Sequence, residues 1–142
     1  MELKNTQGKV LFKSNKAKSM KELVEEAAIE GVSLAQADLL RADLSGLKGG
    51  EFKSLDLSGA LLSYANFSMC DLSSCNFSDA NLSQANLFGA KIPKANLTRA
   101  NLSGANLLKA NLKGADLTEA NLMAVELSQT PLDDAILTST KK

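Results

Sequence analysis

The stretch ANLTRANLSGANLLKANLKGADLTEANL, residues 95–122, repeats almost the same five residues from end to end. On an α-helix each residue turns by about 100°, so leucines five apart would scatter around the helix and form no stripe. On a flat strand side chains alternate between faces, so leucines five apart would fall on opposite faces. The spacing therefore predicts that the chain turns a corner in every repeat.

The five-residue spacing extends far beyond this stretch. Every fifth residue from Leu47 to Leu137 is Leu, Phe or Ile, and Leu34, Leu39 and Leu44 form an earlier register. We name these residues anchors. The residue two before each anchor, the small residue, is usually Ala, and the residue directly before the anchor is often Asn or Asp. We expect anchor and small residue to point inward, and the Asn or Asp side chain to bond backbone near the turn.

A chain that turns in every repeat is predicted to form stacked coils, because one coil cannot bury its apolar face alone. Each coil would pair with the next through its backbone at strand spacing, and like side chains would stack into ladders. The pattern therefore indicates a repeat rod rather than a globular domain.

The sequence departs from the pattern in three places, one of which is the weak repeat LDLSGALLSY, residues 55–64, with Leu55 where Ala is usual. Leu44 and Phe52 are eight residues apart instead of five, so we predict a register slip over residues 45–51, with the glycines of GLKGG in a bulge or small loop. Leu47 is then either an anchor or a residue of that loop. Pro131 stands where Asn is usual, and we expect the regular ladder to stop there, because proline donates no ladder hydrogen bond.

Residues 1–31 lack the repeat and are predicted to form an N-terminal cap. Two short apolar-containing runs within residues 1–18 favour a hairpin. Ser19 followed by Glu22 forms a capping box, and the apolar residues after Ser19 have helical spacing, which predicts a helix over residues 20–30. A stack of coils ends in unpaired strand edges and an open apolar cross-section, so we expect this helix to lie over the first coil.

The repeat, over roughly residues 32–137, resembles the pentapeptide-repeat proteins, whose consensus is Ala-(Asp/Asn)-Leu-x-x. The resemblance implies an all-β fold: a right-handed quadrilateral β-helix with four pentapeptides in each square coil. The β-helix is predicted to cover residues 32–142, and the small hairpin and helix of the cap precede it in residues 1–31.

Composition argues against catalysis. The chain has no histidine, which excludes His-based triads and His-metal sites. It has sixteen acidic and sixteen basic residues, which predicts no strong attraction to nucleic acid or to an anionic membrane. No long apolar run and no signal-peptide pattern is present, so we expect a cytoplasmic protein. We also expect no cofactor and no metal.

Cys70 and Cys75 replace the inward small residue in successive repeats. They are either a redox or metal pair or two buried thiols that behave as small apolar side chains, and the second interpretation is favoured. Two cysteines without a nearby histidine cannot complete a tetrahedral zinc site.

We therefore favour a non-enzymatic protein-interaction module, a rigid rod that presents flat walls to a protein partner. The resemblance implies an alternative, because some pentapeptide-repeat proteins resemble duplex DNA and bind DNA gyrase, a topoisomerase. Those rods tend to be strongly acidic and dimerise end to end. Residues 47–137 hold nine acidic and seven basic residues, which is a weak charge for such a DNA mimic.

If four repeats make one coil, residues twenty apart lie on the same wall, and two sets of outward residues become candidate partner contacts. The first set is apolar, where Ser or Thr is usual, and the second is basic. Both sets also fit an ordinary solvated surface. The apolar set is Phe88 and Leu108; the basic set is Lys53, Lys91, Lys94 and Lys113.

The last repeats suggest a contact between two copies of the chain. After Leu137 only TSTKK follows, which is too short and polar to cover an apolar coil. We therefore expect a homodimer joined at the C-terminal ends, burying Leu132, Ile136 and Leu137. The alternative is a monomer in which residues 131–137 fold over the final coil as a plug.

Overall fold

The computed structural model describes residues 1–47 and 52–142. The chain begins with an antiparallel hairpin of strands β1 (Glu2–Lys4) and β2 (Val10–Lys13), followed by helix α1 (Met20–Ile29). The helix is one residue shorter than the sequence predicted, because Glu30 is its C-terminal cap. The rest of the described chain forms coils that pair through single-residue parallel bridges.

Helix α1 begins where the capping box predicted. The Oγ atom of Ser19 accepts the backbone N–H of Glu22 at 3.1 Å, and the Glu22 carboxylate accepts the N–H of Lys18 at 2.7 Å. The first bond satisfies a donor of the first helical turn, whereas the second goes to the residue before the N-terminal cap instead of to the N–H of Ser19 itself. Gly31 follows with a φ of 68°, a conformation that ends helices readily.

The coils have four walls. Bridged residues such as Asn76 and Asn96 are twenty residues apart, which is four five-residue repeats per coil. The prediction of a right-handed quadrilateral β-helix is confirmed. We name the walls by their anchors from residue 52 onward. Wall A has Phe52, Leu72, Ile92, Leu112 and Leu132; wall B has Leu57, Phe77, Leu97, Leu117 and Leu137; wall C has Leu62, Leu82, Leu102 and Leu122; wall D has Phe67, Leu87, Leu107 and Leu127.

Backbone hydrogen bonds repeat from coil to coil. On wall C the N–H of Leu82 donates to the carbonyl of Asn101 at 2.7 Å, and the N–H of Asn101 donates to Ala80 at 2.9 Å. Within each corner the small residue donates to the preceding anchor, as Ala85 does to Leu82 at 3.0 Å. The second residue after an anchor has positive φ throughout residues 52–142 except at Gln129, and most of these corner residues are not glycine.

The core is a stack of anchors and small residues. Leu102 is 0% and Leu107 1% exposed, so the inward assignment of the anchors is confirmed. Ala100 and Ala105 are buried beside them. The core is therefore aliphatic along most of the rod.

Leu47 is neither the anchor nor the loop residue that the spacing suggested. It is buried, and its carbonyl accepts the N–H of Asp71 at 3.1 Å. One repeat later the small-position residue Leu55 accepts the N–H of Asn76 in the same way. Leu47 therefore continues the first register at the small-residue position. The bridge of Asp43 to Asn66 spans twenty-three residues instead of twenty, so three extra residues are inserted.

The predicted slip at residues 45–51 accounts for this insertion. Residues 48–51, which include most of the glycine-rich loop, lie outside the described residues.

The hairpin and helix cover the first coil. The N–H of Asp38 donates to the carbonyl of Lys4 at 2.8 Å, and the N–H of Thr6 donates to Gln36 at 3.0 Å. The Lys21 ammonium donates to the carbonyl of Ser45 at 2.7 Å, which ties α1 to the same coil. The hairpin thus pairs with a strand edge that would otherwise be exposed. Leu23, Val24 and Ala27 of the helix are buried in one core cluster with the first anchors.

The expectation that the ladder stops at Pro131 is wrong. Leu112 donates to the Pro131 carbonyl at 3.1 Å, and the ladder continues to Lys141, whose carbonyl accepts the N–H of Leu122 at 2.7 Å. Proline loses only its own donor. The interruption lies earlier on wall D, where the described residues show no backbone bond from Leu107 to Glu126.

The interruption on wall D coincides with Val125. Val125 stands in the stack of Ala65, Ala85 and Ala105, where a β-branched side chain has less room than alanine.

Candidate interaction surfaces

Three outward positions occur in each repeat: the residue before the anchor and the two residues after it. Side chains before the anchor mostly bond to the fold itself. The Oδ1 atom of Asn101 accepts the N–H of Ser103 at 3.1 Å and the Nδ2 group of Asn121 at 3.1 Å. These amides link neighbouring coils, so the two positions after the anchor are the ones left to meet a partner.

The structure brings the two apolar candidates on wall D together. Phe88 and Leu108 follow their anchors in neighbouring coils, and both are half-buried. The N–H of Gly89 donates to the Leu108 carbonyl at 3.0 Å, which fixes the two residues one coil apart. Met69, which is 59% exposed, lies with its sulfur over Gly89. We name Met69, Phe88 and Leu108 the apolar strip.

Two cations lie beside aromatic rings, and one of these rings belongs to the apolar strip. The Nζ atom of Lys109 is 5.7 Å from the centroid of the Phe88 ring. The guanidinium carbon of Arg41 is 5.0 Å from the centroid of the Tyr64 ring, at the corner between walls C and D. Sequence reasoning missed both pairs. The second pair could have been found from its spacing, because Arg41 and Tyr64 are twenty-three residues apart. Twenty-three residues is the length of one coil that contains the register slip.

The four lysines of wall A share a wall but do not form one column. Lys53 and Lys113 follow their anchors directly, Lys91 precedes its anchor, and Lys94 is a corner residue. The Lys53 ammonium lies 4.0 Å from the Asp71 carboxylate. The basic wall is therefore partly neutralised at its N-terminal end.

Asp71 is held in its charged form by its neighbours. The Ser73 hydroxyl, and after it the ammonium groups of Lys53 and Lys91, hold the pKa of the Asp71 carboxyl below its usual range, against the opposing effect of burial.

Wall B carries carboxylates that one arginine interrupts. The Arg99 guanidinium binds both oxygens of Asp79 at 2.7 Å, and these bonds hold the pKa of Asp79 below its usual range. Both side chains are exposed, so the pair contributes little to stability. It does, however, break the acidic column between Asp56 and Glu119.

The two cysteines are buried hydrogen-bond donors. The Cys70 thiol donates to the Leu44 carbonyl at 3.0 Å, and the Cys75 thiol donates to Phe52 at 2.9 Å. Burial raises the pKa of Cys70 to about 11 and that of Cys75 to about 12. The Thr130 hydroxyl makes the equivalent bond to an anchor carbonyl at 2.9 Å. This arrangement suits buried structural thiols rather than reactive ones.

The candidate dimer residues do not all lie on one face. Leu132 and Leu137 are half-buried anchors, whereas Ile136 is 49% exposed at the outward position before Leu137. Ile136 also pairs with Asp116 in the ladder.

A hollow of about 240 Å³ lies between the end of α1 and the nearest coils. The Ser33 hydroxyl there donates to the Asp56 carboxylate at 2.8 Å, so these polar groups already have partners. In residues 1–47 and 52–142 no three His, Cys, Asp or Glu side chains converge on a metal position. Within the same part of the chain, no helix has the length and apolar character needed to cross a membrane.

Comparison with known proteins adds a family match. A family model described as pentapeptide repeats matches in eight copies over residues 47–79, 80–118 and 109–138. No curated protein sequence matches the chain.

Several solved structures are similar to this chain. One is HetL, a pentapeptide repeat protein involved in heterocyst differentiation regulation from the cyanobacterium Nostoc sp. strain PCC 7120. The two are 31% identical with a TM-score of 0.70, over 76% of this chain and 49% of HetL. The chain thus spans about half the length of HetL.

A second similar structure is Rfr23, a pentapeptide repeat protein from the cyanobacterium Cyanothece 51142. It is 32% identical with a TM-score of 0.66, over 87% of this chain and 95% of Rfr23. The plasmid-mediated fluoroquinolone resistance protein QnrB1 is 21% identical with a TM-score of 0.41, over 72% of this chain and 70% of QnrB1. A likeness that weak carries no argument about function.

Proposed function

Since this chain belongs to the pentapeptide repeat proteins, we propose that it is a non-enzymatic protein-interaction module that presents its walls to a protein partner in the cytoplasm. Members of this family are in general structural repeat proteins rather than enzymes. The lack of histidine and the buried, unreactive thiols agree with a binding role.

The coil geometry supports a rigid binding surface. Backbone hydrogen bonds join successive coils on all four walls, apart from the interruption between Leu107 and Glu126 on wall D, and asparagine side chains add further links. A surface fixed in this way loses little conformational entropy when a partner binds. The rod therefore holds outward side chains at constant spacing before any partner arrives.

The observation that carries the proposal is the apolar strip on wall D. The position directly after the anchor holds Ser or Thr in every repeat of wall B and in three of the four repeats of wall C, whereas on wall D Phe88 and Leu108 are apolar and adjacent. Single exposed apolar residues are common on proteins, but a contiguous group is more typical of a binding surface. Neither side chain is needed to fill the core, because both point outward.

Cross-linking from each wall tests the proposal. Residues 98, 103, 108 and 113 are mid-wall positions on walls B, C, D and A in turn. A photoreactive amino acid placed at one of them at a time should give an adduct with a defined cellular protein from at least one wall. An excess of the unmodified chain should suppress that adduct. If no wall gives a suppressible adduct, the proposal is wrong.

A DNA mimic that binds gyrase or another topoisomerase is the alternative, and the charge distribution favours it less. Such mimicry needs continuous negative charge, whereas Arg99 interrupts wall B and four lysines lie on wall A. We expect gyrase supercoiling to be unchanged when the chain is added. Inhibition of supercoiling near a one-to-one ratio with gyrase would favour the alternative instead.

A further inference from the structure

We infer that the edge between walls D and A is the docking surface for an acidic protein segment that carries an apolar anchor side chain. This inference rests on the proposed binding function and adds the wall and the chemistry of the partner. It is carried by two features that meet at this edge: the apolar strip, and ammonium groups that have no carboxylate within 4.0 Å in the described chain.

The apolar strip supplies the site for the anchor side chain. Met69 is 59% exposed, while Phe88 and Leu108 are half-buried and therefore already held in place by the coils. Aromatic residues and methionine are enriched at protein interfaces, and interface energy concentrates on such side chains. Asn86 and Asn106 on the same wall bind the backbone N–H groups of Phe88 and Leu108, at 3.2 Å and 3.1 Å, so they keep the strip fixed.

The ammonium groups supply the charge. Lys109 is the corner residue between the strip and wall A, with its Nζ atom 5.7 Å from the Phe88 ring centroid. Lys91 and Lys113 follow on wall A, whereas Lys94 lies at the opposite corner, between walls A and B. The N–H of Lys94 donates to the Lys113 carbonyl at 2.9 Å, which places these two in neighbouring coils. In the described chain, no carboxylate lies within 4.0 Å of any of these four ammonium groups.

Two acidic side chains on these walls are already engaged, whereas Asp133 and Asp134 lie at the C-terminal end of wall A, one coil beyond Lys113. Asp71 accepts the Ser73 hydroxyl and lies 4.0 Å from Lys53. The Glu126 carboxylate accepts the N–H of Ser128 at 2.8 Å. Wall B, by contrast, carries Asp116 and Glu119. An acidic partner is therefore attracted to the edge between walls D and A and repelled from wall B, which gives the rod one preferred docking side.

Nucleic acid and anionic membrane are the competing occupants. Both would use the lysines, but backbone phosphates and lipid headgroups gain nothing specific from a phenylalanine and a leucine placed one coil apart. A protein segment uses both features at once, because its carboxylates meet the lysines while its apolar side chain covers the strip. The adjacency of Lys109 and Phe88 therefore favours the protein segment.

The experiment measures binding of a labelled peptide of about a dozen residues, glutamate-rich with one Phe and one Leu, by fluorescence anisotropy. Its comparison probes replace glutamate by lysine, or the apolar residues by serine. Duplex DNA and phosphatidylglycerol vesicles are tested alongside. We expect the acidic apolar peptide to bind at least about tenfold more tightly than any comparison probe.

Variants of the chain locate the contact. We expect Lys109→Glu to weaken binding of the acidic apolar peptide about tenfold, and the double variant Phe88→Ser with Leu108→Ser to weaken it at least as much. Met123→Ser on wall C and Lys9→Glu in the hairpin are matched controls, which change an exposed apolar residue and an exposed lysine elsewhere. Circular dichroism confirms that each variant is folded.

The inference is overturned if the acidic apolar peptide does not bind, or binds no better than its serine or lysine counterpart. It is also overturned if only Lys109→Glu matters, because the contact is then purely ionic. Tighter binding of DNA or vesicles assigns the surface to those ligands. Cross-links to a cellular protein from walls B or C alone keep the proposed function and reject this docking surface. Absence of cross-links from every wall rejects the proposed function itself.

Discussion

Replacing Gly104 by Ala tests how the corners of the rod are packed. Gly104 has a φ of 64°, and a Cβ atom built there would lie 2.1 Å from the Nε2 atom of Gln84, one coil earlier. Gly114 has nearly the same φ of 66°, but its nearest neighbour would be the Cγ atom of Lys94 at 3.6 Å, an ordinary contact. The two glycines therefore share one backbone conformation and differ in the space above them.

The backbone conformation and the space above the glycine together set the expected loss of unfolding free energy. Placing Ala in the left-handed region costs about 1–2 kcal/mol at either position. At Gly104 the Gln84 side chain must also leave its position, which costs a further ~0.5–1.5 kcal/mol if it is held off its preferred rotamer. Because the atom in the way is the end of an exposed, flexible side chain, this extra cost lies at the low end of its range, and we expect Gly104→Ala to lower the free energy of unfolding by about 0.5 kcal/mol more than Gly114→Ala does.

Urea unfolding followed by circular dichroism measures this difference. Adding Gln84→Ala to Gly104→Ala should remove the extra loss, since the group in the way is then gone, and Gln84→Ala alone sets the reference for the cycle. Equal losses for the two glycine variants, or an extra loss that persists after Gln84→Ala, would refute the corner packing.

The remaining predictions concern the core, the two ends of the chain and the thiols. Leu102→Ala should cost ~2–5 kcal/mol of unfolding free energy, because Leu102 is 0% exposed; a loss below about 1 kcal/mol would contradict its inward position. Deleting residues 1–30 should expose the first coil and cause aggregation, and a soluble, equally stable product would disprove the cap. Light scattering should find a dimer that Ile136→Lys separates without unfolding, whereas a monomeric wild type at micromolar concentration rules the dimer out. Cys70 and Cys75 should resist alkylation at about pH 8 until urea unfolds the chain, because burial raises the pKa of Cys70 to about 11 and of Cys75 to about 12, which keeps both thiols protonated; rapid labelling of the folded chain would contradict this.

The architecture of the rod was predictable because every repeat requires the same backbone geometry. A spacing of five residues forces a corner, and the pairing of an apolar anchor with a small residue shows which side faces inward. Leu102 and Ala100 lie where this argument placed them. The four-walled cross-section was implied by family resemblance alone, and the bridges twenty residues apart agree with it.

Local departures were harder to predict, because an apolar residue fits more than one position. Leu47 lies five residues before an anchor and three after another, so spacing alone supports two registers, and only its bond with Asp71 decides between them. Pro131 removes one backbone N–H donor, but the neighbouring ladder hydrogen bonds remain in place. Val125, an apolar residue close in type to alanine, coincides with a larger disturbance because the small-residue position leaves little room.

Contacts between outward side chains were not predictable from the pattern. The repeat shows which residues share a wall, but not the direction in which long side chains lean. Met69 lies over Gly89, and Gln84 lies over Gly104, so these corner side chains point toward the following coil. The sequence does not predict this side-chain direction, because the direction depends on rotamers that the backbone turn selects.

The regularity that makes the fold predictable also determines where information about function can lie. Inward residues are dictated by the coil, and Asn or Asp before the anchor is dictated by the turn, so neither position distinguishes one rod from another. Only the outward positions after the anchor are free to vary. Phe88 and Leu108 could be serine without loss to the core, because neither fills it. An apolar pair that the fold does not require, beside a lysine within 5.7 Å of the ring centroid, is better explained by a partner than by the stability of the rod.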